Sequence, residues 1–180
     1  MNILIEGWRG INHSVALVNQ WQILELLKSN KLYFKDIPFS SKTWNTKMNS
    51  SGFAEEKKNL IEKIALPTKD QIHDITYRIS FPFDFDDKFN SKLLFVYGIC
   101  EYKFVDETYY KNNTPDALKK NKNFFIHTPT QWTKGGFINS GFSESQIIVV
   151  NHGIDKDTFY IISDERKEDV RKKYGFKSDD

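Results

Sequence analysis

Cysteine is nearly absent from the chain: Cys100 stands alone among 180 residues, so no internal disulfide can form, and the expected setting is a reduced, cytoplasmic one. Long hydrophobic runs are missing too. No apolar stretch approaches the about 20 residues that cross a bilayer, and the amino terminus enters an apolar strand-like run instead of a basic and then apolar signal. A peripheral contact with the inner face of a membrane is left open. Nor is there a surplus of one charge: 26 basic residues face 24 acidic ones, a formal net charge of +2, which gives no strong field for nucleic acid. The glycine loop near the start is neither a GxGxxG nor a P-loop. The acidic run near residue 85 lacks the glycine and final glutamate of a calcium loop. What remains is a length suited to one well-buried domain with a tail.

The densest signals lie in residues 123–159, NFFIHTPTQWTKGGFINSGFSESQIIVVNHGIDKDTF. Residues 123–128 form a short apolar run that Pro129 interrupts, having no N–H and a fixed φ. Thr130 can cap a helix over residues 131–140, where Trp132, Phe137 and Ile138 have helical spacing. Gly141 supplies the left-handed residue that ends it, and Phe142 packs back on the last turn. Residues 146–150 are β-branched and too few for a helix, and Asn151-His152-Gly153 turns the chain after them. Strand, helix and strand in this order make a βαβ unit, hence a parallel sheet.

The same reading applied upstream gives strands at 2–6, 32–37, 74–80 and 93–99. It gives helices up to Lys28, over 53–66 and over 115–120, and an exposed helix in DERKEDVRKKYG that stops at Gly175. The first helix carries a stripe of Leu17, Val18, Trp21 and Leu24, with Trp21 expected in the core and Asn12 or Ser14 as cap. The predicted fold is α/β, a doubly wound, mainly parallel sheet of about six strands with helices on both faces.

Candidate site residues follow from position. Gly7, Arg9, Gly10, Ile11, Asn12, His13 and Ser14 form a loop between a buried strand and a helix start, where unpaired N–H groups suit a phosphate or carboxylate. A plain strand-to-helix turn explains the same residues. Trp44 sits in a polar loop and can either stack on a sugar ring or fold down onto the domain. In FPFDFDD the aromatics are read as packing, and Asp84 is a site candidate. Glu101 ends a buried strand, where a carboxylate can orient an acceptor hydroxyl, accept its proton, or bind an exposed lysine. His127 ends the next strand and is either a site group or a hydrogen-bonded structural histidine.

TPTQWTKGGFINSGFSESQIIVVNHGIDKDTF resembles the segment closing the N-terminal domain of family-4 glycosyltransferases, the retaining, nucleotide-sugar-dependent enzymes of the GT-B fold. Thr128-Pro129-Thr130 stands where that family has Thr-Pro-Ser, and His152-Gly153-Ile154-Asp155 with Phe159 stands for His-Gly-Val-Asp and a phenylalanine. Thr130 and Ile154 are the departures. ILIEGWRGINHSVALVNQ resembles the family's first strand, glycine loop and helix, and FVYGICEYKF a strand carrying a glutamate near its end in one branch.

The resemblance runs from Met1 to about Tyr160. It implies that residues 1–155 are a Rossmann-like acceptor-side domain and residues 156–180 an interdomain linker with the start of a C-terminal donor-binding domain, whose pair of spaced glutamates does not occur here. It implies hexosyl transfer from a nucleotide sugar to a glycan, lipid or small-molecule acceptor, in carbohydrate biosynthesis. No metal and no cofactor beyond the nucleotide sugar are implied, and the half-enzyme is expected to be inactive alone. On this resemblance Glu101 and His127 are the catalytic candidates, residues 7–14 face the donor phosphates, and Trp44 and Asp84 lie on the acceptor side. A stand-alone glycan- or nucleotide-binding module, or a small α/β enzyme such as a nucleotide-dependent reductase, are the other expectations.

Overall fold

Strand β1 (Asn2–Gly7) is buried from Ile3 onward, the pattern of a parallel strand covered on both faces. The computed structural model describes residues 1–11, 13–38, 55–86 and 88–177. After β1 come α1 (Ser14–Leu27), β2 (Lys31–Asp36), α2 (Glu55–Glu62), β3 (His73–Arg78), β4 (Phe83–Asp84), β5 (Ser91–Tyr97), β6 (Tyr110–Lys111), α3 (Pro115–Leu118), β7 (Phe124–Thr128), α4 (Gln131–Asn139), β8 (Ile147–Val149) and α5 (Asp164–Tyr174). Six strands form one sheet in the order β2-β1-β3-β5-β7-β8, and every pairing is parallel. The chain leaves β1 toward β2 on one side and returns to β3 on the other. The crevice between the carboxyl ends of β1 and β3 is therefore a topological switch point, where doubly wound sheets bind ligands.

The two faces bury different sets of side chains because residues alternate along each strand. Ile3, Ile5, Leu32 and Phe34 meet Ile23 of α1 with Ile61 and Ile64 at the end of α2. Leu94, Val96, Phe124, Ile126 and Ile147 point the other way, into a cluster closed by Leu118, Phe137, Phe142, Phe83 and Phe85. Phe83 and Phe85 are thus packing, as the sequence suggests, while Phe81 is exposed. This segment also contributes β4, which pairs in parallel with β6 as a separate two-stranded sheet that the sequence did not reveal.

Local signals behave as expected at α4. Thr130 Oγ1 accepts from Thr133 N at 3.1 Å, Gly141 has φ +91°, and the Phe142 ring lies edge-on to Phe137 at 5.3 Å. Of its apolar residues only Phe137 is buried, however, while Trp132 and Ile138 are exposed. Gly175 ends α5 at φ +75°, and α5 has no buried residue.

Three details of the helices depart from expectation. α1 is capped by His13, whose Nδ1 accepts from Val15 N at 3.1 Å in place of a hydroxyl or carboxamide oxygen. Its buried residues are Val15, Ala16, Asn19, Gln20 and Ile23, not the stripe of Leu17, Val18, Trp21 and Leu24. Trp21 is half-buried, with Lys57 Nζ 4.8 Å from its ring centroid. The apolar side of α1 turns partly toward α2, while the carboxamide of Asn19 lies against the end of β1. Finally, the region of α2 is helical only as far as Glu62; Ala65 then forms a parallel bridge to Tyr33, and its carbonyl accepts from Phe34 N at 2.9 Å.

Candidate functional site

The carboxyl edge of the sheet is assembled from the end of β2 and the segments after β1, β5, β7 and β8. Gly7 ends β1 against α1: a Cβ there would come within 2.8 Å of both Asn19 Nδ2 and Ile79 Cγ2. Glycine is required so that the helix can approach the strand. Asn19 Nδ2 donates to Trp8 O at 2.9 Å, which fixes the loop on the helix. Gly10 takes φ +72°, a left-handed turn that L side chains rarely adopt. His13 then caps α1 and lies edge-on to Trp8 at 5.4 Å. Burial lowers the pKa of His13, which keeps its acceptor lone pair available. Asn12 and Trp44 lie outside the described residues.

Arg9 is committed within this loop. Its Nε and one terminal nitrogen grip Asp36 at 3.2 and 3.1 Å, and the other terminal nitrogen donates to Ile61 O at 3.1 Å and Ile64 O at 3.4 Å. The guanidinium also lies 4.6 Å from the Phe34 ring centroid. It therefore clamps the β1 loop to the ends of β2 and α2, and it meets a phosphate only by releasing Asp36.

Between these elements opens a cavity of about 250 Å³ lined by Arg9, Gly10, Gln20, Asp36, Lys58, Ile61 and Glu62. Gln20 is 1% exposed, and neither its Oε1 nor its Nε2 has a hydrogen-bond partner. Sequence reasoning missed Gln20 because it placed the buried side of α1 on the apolar stripe. The available signal was the pair Asn19-Gln20, set one turn after Val15-Ala16 and one turn before Ile23.

His127, on β7, belongs to a second constellation. Its Nδ1 pairs with the Tyr77 hydroxyl at 2.8 Å, and that hydroxyl also reaches Gln22 Oε1 at 2.9 Å. His127 Nε2 faces Val150 O at 3.4 Å. Beside it the Tyr97 hydroxyl meets His152 Nε2 at 2.8 Å, and those two rings stack at 6.0 Å. Burial lowers the pKa of His127; the Val150 carbonyl opposes the shift and the neighbouring His152 adds to it. Burial pushes the Tyr77 and Tyr97 hydroxyls up, so both remain neutral donors. Tyr77, Tyr97 and His152 read from the sequence as strand and turn residues, and only the register of β3, β5 and β7 brings them to His127.

Glu101 follows β5 and is exposed, and its carboxylate has no hydrogen bond or ion pair among the described residues. Its carbonyl accepts from Trp132 Nε1 at 3.4 Å, which holds the loop against the start of α4. Asp84 is engaged instead: it accepts from Asn112 Nδ2 at 2.7 Å and Asp86 N at 3.0 Å, with Lys111 at 3.4 Å and Arg78 at 3.8 Å. Burial opposes its ionisation, but these donors and cations hold its pKa below the usual value. Its contacts tie β4 to β6 and to β3. Among the described residues no group of three or more His, Cys, Asp or Glu is placed to hold a metal, and no helix is long and apolar enough to cross a membrane.

The βαβ unit closes the edge. Val150 N donates to Thr128 O at 3.0 Å and Asn151 Nδ2 to Pro129 O at 2.8 Å, so the Thr128-Pro129-Thr130 and His152-Gly153 segments are neighbours. No protein-family model, curated protein or solved structure matches the chain.

Proposed function

We propose that this chain is the acceptor-side half of a retaining glycosyltransferase. The observation that carries the reading is convergence: the three segments that resemble family-4 enzymes all end at one edge of the sheet, with the glycine loop at its switch point. In the proposed reaction the bond from the sugar's anomeric carbon to the nucleoside diphosphate breaks, and a bond from that carbon to the acceptor oxygen forms. The acceptor's proton leaves its hydroxyl, and the diphosphate departs as the anion. Residues 7–14 face that anion with the start of α1, where backbone dipoles favour negative charge. Glu101, whose carboxylate has no partner among the described residues, orients the acceptor hydroxyl or takes its proton. His127, paired with Tyr77, stands near the end of β7 at the same edge.

Donor binding in this reading needs a second α/β domain facing the edge, because a cleft with one wall leaves the reacting atoms in water, where fixed dipoles count for little. The test is to assay transfer from a panel of nucleotide sugars, by the chain alone and joined to such a domain. The joined protein should turn over, and Glu101→Gln should lower its turnover far more than its donor affinity. Turnover by the chain alone, or full activity in Glu101→Gln, would count against the assignment.

A further inference from the structure

We infer that the cavity between α1 and α2 is a subsite for one neutral, polyhydroxylated ring, a monosaccharide or cyclitol unit. This deepens the transfer reading and rests on it for the use made of the sugar, but the chemistry of the cavity carries the ligand class. At about 250 Å³ it falls just below the roughly 300–1,000 Å³ of pockets for drug-sized ligands, which suits a single ring. Its charged side chains balance, Arg9 and Lys58 against Asp36 and Glu62, so the lining favours no ion of either sign. Arg9 and Asp36 already hold each other. Lys58 Nζ stands 3.8 Å from Glu55 and 3.9 Å from Glu62, beyond hydrogen-bond length, so its donors and the Glu62 acceptors remain to be used.

Gln20 gives the decisive constraint. A buried carboxamide without partners forfeits the hydrogen bonds it made to water in the unfolded chain, and it offers a donor and an acceptor side by side. A hydroxyl, which both donates and accepts, answers either atom, and vicinal hydroxyls answer both at once. Carboxylate and ammonium groups satisfy the remaining hydroxyls, and buried Ile61 gives an apolar contact for the C–H face of a ring. A nucleobase also presents paired donors and acceptors, but the described lining offers no aromatic face to stack on: the Phe34 ring is covered by the Arg9 guanidinium.

The experiment is a heteronuclear NMR titration of the whole chain with glucose, galactose, mannose and myo-inositol, with glucose 6-phosphate and adenosine as the contrasting probes. At least one neutral ring should bind at millimolar concentration and shift the signals of residues 9, 10, 20 and 58. Gln20→Met should weaken that binding about tenfold or more, the effect of losing a pair of hydrogen bonds. It should also leave Tm unchanged or raise it, since the amide it removes satisfies nothing. Lys58→Met, at the mouth of the cavity, is the second variant and should weaken binding without unfolding. Binding of no neutral ring, binding of the phosphate or adenosine alone, or binding indifferent to both variants overturns the subsite. None of these outcomes bears on transfer, which its own assay decides. A ring that binds through Gln20, with no transfer by the two-domain protein, would defeat the transferase reading and leave the subsite standing.

Discussion

Glu6 and Arg78 stand opposite each other in register on β1 and β3, Oε2 to Nε at 2.7 Å, with both side chains at or below 10% exposure. Arg78 then donates to Asp84 O at 2.9 Å and Asp86 O at 2.8 Å, so a single guanidinium ties the central strands to the segment carrying β4. Lys35 completes the carboxylate's partners at 2.9 Å. Removing one member of a buried pair leaves the other without compensation, typically a loss of about 3–5 kcal/mol. Glu6→Leu should therefore lower the urea midpoint with an unchanged m-value. A loss under about 1 kcal/mol would put the pair among exposed bridges of little consequence.

The same pair sets an acid limit. Burial opposes ionisation of Glu6, but Arg78 and Lys35 outweigh it and hold the pKa below the ordinary 4.5. Near pH 4.5 the unfolded chain thus binds more protons than the folded one. The stabilisation is complete above 4.5 and is lost as the pH falls through the folded-state value. Urea midpoints measured across this range should fall with pH in the wild type and fall less in Glu6→Leu.

His127 sets a second window. Its pKa is lowered from 6.5, chiefly by burial, so its contribution is complete above pH 6.5 and declines as the pH falls from there through the folded-state value. His127→Gln should flatten the stability profile below pH 6.5 while leaving the lower limb governed by Glu6. An unchanged slope would mean that burial does not oppose protonation of this ring.

Glycine positions separate close approach from open space. Gly7→Ala brings a methyl within 2.8 Å of Asn19 and Ile79 and within 3.0 Å of the Ile79 carbonyl, and overpacking of this kind costs about 1–3 kcal/mol. Gly153 has nothing within 4 Å of its Cβ position. Thermal unfolding should show a lowered Tm for Gly7→Ala and none of that loss for Gly153→Ala. Equal values would mean that α1 can retreat from β1 at no cost.

The strands were legible because parallel strands buried on both faces read as continuous apolar runs, as at residues 93–97, and because Pro129 and Gly141 punctuate the chain beside them. α1 misled because its helix has two covered sides. Periodicity reports where Leu17, Val18, Trp21 and Leu24 gather, and it is silent on Gln20 and on Asn19, whose burial depends on a glycine at position 7 and a carbonyl at position 8. The pairing of β4 with β6 was hidden for another reason: Phe83–Asp84 and Tyr110–Lys111 are two residues each, too short for any period to register. At the site, Glu101 was visible as a carboxylate following a strand. The joining of Tyr77, Tyr97 and His152 around His127 was not, since it depends on strand register across the sheet.

The loop that carries Glu101 is held from behind by Gly136. A Cβ there would overlap Cys100 Sγ and lie 3.0 Å from Cys100 Cβ and 3.2 Å from the backbone carbon of Lys103. These atoms cannot give way singly, because Cys100 is buried and its thiol donates to Phe104 O at 3.1 Å, while Asn139 Nδ2 holds Lys103 O at 3.1 Å. Gly136→Ala must therefore move residues 100–104 as a unit away from α4, and Glu101 with them. Two readouts should change together. Cys100, shielded in the wild type, should react faster with a thiol reagent, and in the two-domain protein turnover should fall toward that of Glu101→Gln, although residue 136 touches no substrate in the proposed reaction. If the thiol becomes reactive while turnover holds, the position of Glu101 does not matter to the chemistry, and the carboxylate belongs to the surface.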